Sequence, residues 1–257
     1  VAAARELLPY LRPGSLLVSL QNGICEDALA DVVGRDRVVG CVVGWGATMH
    51  GPAELEMTST GEFVIGNLDH RPDPRLPQIQ AMLKEIVPTR ITENIMGELY
   101  AKLIINSCIN SLGALTGLYL GDLLAQRRIR DIFLEIMREA MAVAAGMQVK
   151  VEPAAGGKLD YYKFLASGGS VAQFRRHLMV RIIGFKYRRL KSSSLQSLER
   201  GRVTEIRFLN GYICDQGRKH GIATPINDAL VTMIEEIESG SRNITPANLD
   251  DPVFLRA

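Results

Sequence analysis

From Leu103 to Leu120 the chain runs for eighteen residues, LIINSCINSLGALTGLYL, without a charge. A stretch of that length and character either spans a membrane or forms a helix buried inside a fold. Two asparagines and two serines interrupt it, and no second such segment exists. Polar groups are costly in a bilayer, so we read it as part of a buried helix running from about Asn94 to Leu118. Lys102, Asn106 and Asn110 fall on this helix at i, i+4 and i+8 and therefore share one face. Leu103, Ile104, Ile105, Cys108, Ile109, Leu112 and Leu115 cover most of the remaining circumference. A polar row in apolar surroundings is costly unless it is hydrogen-bonded. Either the protein satisfies the row itself, or the row lines a site that a ligand completes.

The rest of the chain supports a large core around this helix. With 257 residues, 47% of them hydrophobic, it is long enough for two domains. The net charge of +2 gives no electrostatic case for a nucleic-acid partner. The basic residues from Arg175 to Lys191 carry no RNA-binding signature and read as a solvated helix face or a lure for an anionic cofactor or substrate. Cys25, Cys41, Cys108 and Cys214 have no paired spacing, which fits reduced thiols in a cytoplasm better than a disulfide framework. The four histidines are equally dispersed, so no metal-ligand cluster is expected. Val1 opens directly into Ala-Ala-Ala-Arg-Glu-Leu-Leu, a stretch resembling the middle of a helix, so an upstream portion is expected.

Residues 1–92 alternate helix and strand signals. Ala2–Leu11 and Glu26–Val33 read as helices, and Leu16–Leu20 and Val38–Val43 as buried strands of a doubly covered sheet. Leu55–Thr58 and Phe63–Ile65 flank Ser59-Thr60-Gly61 and read as an antiparallel hairpin. Leu76–Ile86 is helical, and Thr89–Thr92 is an edge strand. From residue 93 onward everything reads as helix: Arg127–Met147, Val171–Ile182, Leu195–Arg218 and Pro225–Glu238. Thr224-Pro225 starts the last helix and Gly240 stops it. The expected fold class is thus α/β plus all-α, a partial Rossmann-type doubly wound sheet (1–92) followed by an all-helical domain (93–257). Long apolar faces on Arg127–Met147 and Leu195–Arg218 suggest a homodimer.

Three groups of residues are candidates for chemistry, and each has an ordinary structural role to be weighed. Lys102 is either a snorkelling surface lysine or, with Asn106 and Asn110 beside it, part of a site. Ser193-x-x-Gln196 has the form of a capping box, so Ser193 is a helix cap or a ligand contact. Glu205 is either a solvated partner of Arg202 or Arg207, or the acid of the site. Gln21-Asn22-Gly23 is either a plain turn or a ligand-binding loop beyond the carboxyl end of a strand.

Taken together, these stretches resemble the ketopantoate reductase (2-dehydropantoate 2-reductase) family. The resemblance runs through Gln21-Asn22-Gly23, Gly46-Ala-Thr, Gly61-Glu-Phe-Val-Ile-Gly66 and Lys102-x-x-x-Asn106-x-x-x-Asn110. It continues through Ser193-Ser-Leu-Gln, Arg202-Val-Thr-Glu-Ile206, Leu209-Asn-Gly211 and Gly221-Ile-Ala-Thr-Pro225. It implies an NADPH-binding Rossmann domain, a helical domain and an α-keto acid substrate in the cleft between them. Lys102 would be the catalytic lysine, and Glu205 would bind the substrate hydroxyl. Asn106, Asn110 and Ser193 would hold the substrate, and Asn22 would lie where cofactor and substrate meet. The glycine-rich G-x-G-x-x-G turn for the pyrophosphate is not among these residues, so 1–92 would supply only the later strands of that domain. The slot before Leu195-Gln196 that is often proline in close family members is serine here. A dehydrogenase acting on another 2-hydroxy acid, and a non-catalytic dimerisation or binding domain, are the alternatives.

Overall fold

The computed structural model describes residues 1–166 and 168–256. The chain divides into two compact units, Val1–Lys102 and Leu103–Ala257. The first contains α1 (Ala2–Leu7), β1 (Leu17–Ser19), α2 (Glu26–Val33), β2 (Val38–Val43), β3 (Gly46–Gly51), β4 (Glu54–Ser59), β5 (Phe63–Asn67), α3 (Leu76–Lys84), β6 (Thr89–Ile91) and the opening turns of α4 (Ile95–Thr116). Four strands form one sheet in the order β1-β2-β5-β6. β1 pairs with β2 and β5 with β6 in parallel, while β2 and β5 run antiparallel.

The sheet is the mixed, helix-flanked layer expected, with Thr89–Ile91 at its edge, but the hairpin is elsewhere. Residues 54–59 pair with 46–51 in a separate ribbon, and Phe63–Asn67 enters the main sheet instead. The reason is burial. Leu55 and Met57 stay 63% and 45% exposed, whereas Phe63 and Ile65 pack with Val39, Cys41, Leu76 and Val87. On the other face of β2, Gly40 lies under α4. A Cβ there would come within 2.7 Å of Ile95 Cγ1 and 3.2 Å of Leu99 Cδ1, so the helix rests on the strand backbone itself.

The second unit is built from helices: the remainder of α4, α5 (Leu120–Ala125), α6 (Arg127–Gly146), α7 (Ala154–Gly157), α8 (Tyr161–Leu165), α9 (Ser170–Lys186), α10 (Ser193–Glu199), α11 (Asn210–His220) and α12 (Pro225–Glu238). Helix α4 is buried nearly all round, with Leu103, Ile104, Cys108, Leu112 and Leu115 fully enclosed. No helix among the described residues is long and apolar enough to cross a membrane. The apolar face of α6, with Ile132, Ile136, Met137 and Val143, is buried within the structure, as are Ile213 and Cys214 of α11. Those two faces therefore are not the outward-facing surfaces that a dimer was expected to use.

One helix boundary and one helix cap differ from the sequence pattern. The segment 195–218 is not one helix. It stops at Glu199, Gly201 takes a left-handed conformation (φ +66°), and a single 3-10 turn over Ile206–Phe208 precedes α11. Thr224 stands at the N-cap position of α12, but its hydroxyl donates to Asp228 Oδ2 (2.8 Å). The carboxylate of Glu139 caps that helix instead, accepting from Ile226 N (2.8 Å) and Asn227 N (2.9 Å). Gly240 ends the helix as expected, at φ +78°.

Candidate active site

Lys102 is half-buried, and its ammonium is tied down at the end of a strand. Nζ donates to Asn22 Oδ1 (2.9 Å) and to the carbonyl of Val43, the last residue of β2 (2.8 Å). Both of these acceptors are neutral, and they fix the direction of the ammonium. The Asn22 loop follows β1, and the mid-loop glycine Gly23 sits at φ +76°. This is the carboxyl end of a parallel strand, where open α/β sheets place their ligands.

The same loop is held from beneath by groups that sequence reasoning did not single out. Cys25 Sγ donates to Gln21 Oε1 (3.3 Å) and lies 3.4 Å from Ser19 Oγ. Cys25 N donates to Glu26 Oε2 (2.9 Å), so the first residue of α2 turns back to cap its own helix. Glu26 is wholly buried, its Oε1 has no hydrogen-bond partner, and burial raises its pKa above the usual carboxylate value. Cys41, on the core face of β2, is pushed up to about 12 by burial despite the opposing pull of Lys102, and is inert as a thiolate. An acid in the first turn of a helix, next to Ile24 and Cys25, was the available signal for Glu26.

In the second unit the polar row meets α10. Asn106 and Asn110 follow Lys102 at successive turns of α4, Asn106 half-buried and Asn110 6% exposed. Ser193 Oγ donates to Asn110 Oδ1 (3.1 Å), which leaves the carboxamide NH2 of Asn110 to donate elsewhere. Gly113 allows this approach: a Cβ at that position would fall 2.4 Å from Ser192 Oγ. Ser192, not Ser193, caps α10, accepting from Leu195 N (3.2 Å). The capping-box reading thus has the wrong serine, and Ser193 is released to face the asparagine.

Glu205 is half-buried at the start of the 3-10 turn rather than on a helix. Its neighbours hold it firmly. Thr204 N and Oγ1 each donate to Glu238 Oε1 (both 2.7 Å), and Ile206 is buried with Ala114, Cys214, Val231 and Ile234. Arg207 pairs with Glu235. The six candidate residues therefore form two groups, Asn22 with Lys102 and Asn110 with Ser193, with Asn106 and Glu205 in the second unit. Among the described residues no cluster of His, Cys, Asp and Glu could hold a metal ion. The Asn22 loop and its lysine fit the nicotinamide end of a dinucleotide, a neutral carboxamide and a fixed cation at a strand's carboxyl end.

Known proteins resemble this chain in sequence and fold. Residues 1–70 match the family described as ketopantoate reductase PanE/ApbA, and residues 94–238 match ketopantoate reductase PanE/ApbA C terminal. The 2-dehydropantoate 2-reductase of Archaeoglobus fulgidus is 24% identical over 226 residues, covering 88% of this chain and 69% of that protein. That of Pyrococcus horikoshii is 26% identical over 227 residues, covering 87% and 67%. A PanE/ApbA family ketopantoate reductase from Ralstonia eutropha JMP134 superposes with a TM-score of 0.76 at 30% identity, covering 94% of this chain and 73% of that one. D-mandelate dehydrogenase in complex with NADH shares the fold, with a TM-score of 0.76 at 20% identity over 94% and 76%. With both stretches of the chain matched and a solved structure at 30% identity, the chain belongs to the ketopantoate reductase PanE/ApbA family of oxidoreductases.

Proposed function

We propose that this protein reduces the ketone of an α-keto acid, 2-dehydropantoate, to the hydroxyl of pantoate with NADPH, in the cytoplasmic route to pantothenate. Residues 1–92 are the later part of the dinucleotide-binding domain, and 93–257 the domain that holds substrate. The observation that carries this reading is the anchored ammonium of Lys102, bonded to Asn22 and to the terminal carbonyl of a sheet strand. When bound, the reduced nicotinamide supplies the hydride. The chain's own residues then manage charge and position. Negative charge develops on the carbonyl oxygen as it is reduced, and Lys102 stabilises it and donates the proton. Asn22, bonded to that ammonium, fixes its direction. Asn106, Asn110 and Ser193 bind the remaining substrate oxygens with uncharged donors, and Glu205 accepts the hydrogen bond of the hydroxyl. Four buried free cysteines suit a reducing compartment.

A panel of α-keto acids assayed in the full-length protein with NADPH and NADH tests the proposal. The expected result is highest kcat/KM for 2-dehydropantoate with NADPH. A preference for an aryl keto acid would favour a second reading, reduction of another 2-keto acid, which the D-mandelate dehydrogenase fold match brings into view. Lys102→Ala with normal turnover but a lowered melting temperature would support a purely structural role for the polar row.

A further inference from the structure

A second polar row runs along α4 beside the first, and all of it is enclosed. Ser107 and Ser111 are both 0% exposed and lie one turn apart, each one residue further round the helix than Asn106 and Asn110. Ser111 Oγ donates back to the Ser107 carbonyl, a bond that bends a helix locally. The same carbonyl accepts from Asn210 Nδ2 (3.2 Å), which arrives from the first residue of α11. The other N–H of that carboxamide goes to Asn227 Oδ1 (2.9 Å) on α12, so both of its hydrogens are used. Asn227 Nδ2 in turn donates to Glu139 Oε2 (2.6 Å) on α6. One line of bonds thus joins α4, α11, α12 and α6. Its far end is rigid, because the Glu139 carboxylate also caps α12 through Ile226 N and Asn227 N.

Such a line is a costly way to fill a core. Asn210 and Asn227 are wholly buried, and among the described residues Asn210 Oδ1 and Ser107 Oγ have no hydrogen-bond partner. Apolar side chains of similar volume would pack there without stranding a carboxamide oxygen. What they would lack is direction, which a carboxamide bonded to two acceptors supplies. Direction matters at this point of α4. Ser107 directly follows Asn106 and precedes Asn110 by three residues. Its carbonyl therefore belongs to the turn that sets where both asparagine side chains point.

We propose that Asn210 is a positioning residue for substrate binding. It pins the Ser107 carbonyl, and so the turn presenting Asn106 and Asn110, to a frame made by α12 and α6. This role rests on the keto acid reading above, in which those two asparagines hold the substrate's oxygens. Asn210 is enclosed and acts only through α4. A misplacement of about 1 Å costs on the order of a hundredfold in rate, so a lost pin is felt at the site. The cofactor contact proposed for Asn22 belongs to the first unit, and the pin does not bear on it.

Amide hydrogen exchange and steady-state kinetics on the full-length protein test the pin and its purpose separately. In Asn210→Ala, exchange across residues 104–112 should quicken at least about tenfold, with the strand Val38–Val43 unchanged. KM for 2-dehydropantoate should rise about tenfold, with KM for NADPH within about twofold and kcat changed less than the keto acid KM. Leu230→Ala, at a fully enclosed leucine of α12, is a destabilised control whose keto acid KM should match wild type. In an Asn110→Ala background the Asn210 change should add less than about threefold, since one positioned group is gone. Asn227→Ala keeps Asn210 but removes the bond that directs it. It should shift exchange and KM the same way by about threefold, and it carries the test should Asn210→Ala not fold. Unchanged exchange at 104–112, a keto acid KM equal to wild type, or full additivity with Asn110→Ala would each overturn the proposal. A wild-type protein that reduces no keto acid would instead overturn the functional reading, and the positioning of substrate with it, whatever the exchange shows.

Discussion

Helices α4 and α9 violate the ordinary partition of residues in opposite ways. α4 is enclosed by protein yet carries Lys102, Asn106 and Asn110, whereas α9 leaves Phe174, Ile182 and Phe185 in water. In the first case the anomaly is partly resolved inside the molecule, since Asn22, the Val43 carbonyl and Ser193 meet members of the row. In the second the stripe stays exposed among the described residues, and the inner face of α9 is already committed to α5. The contrast separates two kinds of function. Misplaced polarity inside points to a small ligand, and misplaced apolarity outside points to a macromolecule.

Substitutions can break or sharpen this contrast. The largest effect is expected from the enclosed side chains of α4. Leu112→Ala should cost about 3–4 kcal/mol of stability in denaturant unfolding, as for other fully buried leucines. A loss below about 1 kcal/mol would mean that α4 is not a core helix. Lys102→Ala should lower kcat about a hundredfold with little change in thermal stability, the loss typical of a general acid. Ser193→Ala, which removes the bond to Asn110, should raise KM about five- to tenfold and change kcat less.

Glu26→Gln probes buried polarity in the first unit. The folded carboxyl has a pKa above its ordinary 4.5, so its contribution to stability is present below 4.5 and is lost as pH rises through the folded value. The amide keeps an oxygen for Cys25 N and never ionises. The variant should therefore match wild type near about pH 4 and melt about 2–4 °C higher near about pH 8. Equal melting temperatures at both values would mean that the carboxyl titrates normally. At the smallest end, Ile182→Ala should change the unfolding free energy of the dilute monomer by less than about 0.5 kcal/mol.

Much of this was legible in the sequence, and the gaps have physical causes. The strand Val38–Val43, the edge strand near Thr89 and the long buried helix follow from uninterrupted apolar runs. The shared face of Lys102, Asn106 and Asn110 follows from helical spacing alone. Pairing of Asn110 with Ser193 does not, because it depends on a glycine that lets two distant segments touch. The break between α10 and α11 was hidden because Ile206, Leu209 and Ile213 continue the helical spacing of Leu195 and Leu198, although residues 200–209 leave the α-helix through Gly201 and a 3-10 turn. The misplaced hairpin has a similar origin. Leu55 and Met57 look like residues of a buried strand, and periodicity cannot tell which alternating segment finds a partner sheet. Helix α9 was read over Val171–Ile182 but runs to Lys186, since apolar residues on two faces blur the amphipathic signal.

Gly40 has a further consequence for the lysine. With hydrogen in place of a side chain, the main chain of β2 is met directly by the side chains of Ile95 and Leu99 on α4, and the gap between strand and helix is set by those two residues. Lys102 stands two turns beyond Ile95 on that rod, and its anchor, Val43, lies three residues beyond Gly40 on that strand. Donor and acceptor are thus mounted on two rails spaced only by Ile95 and Leu99. A single methyl inserted at residue 40 would act as a shim, lifting the rod and lengthening the reach of the ammonium without altering any group that touches it.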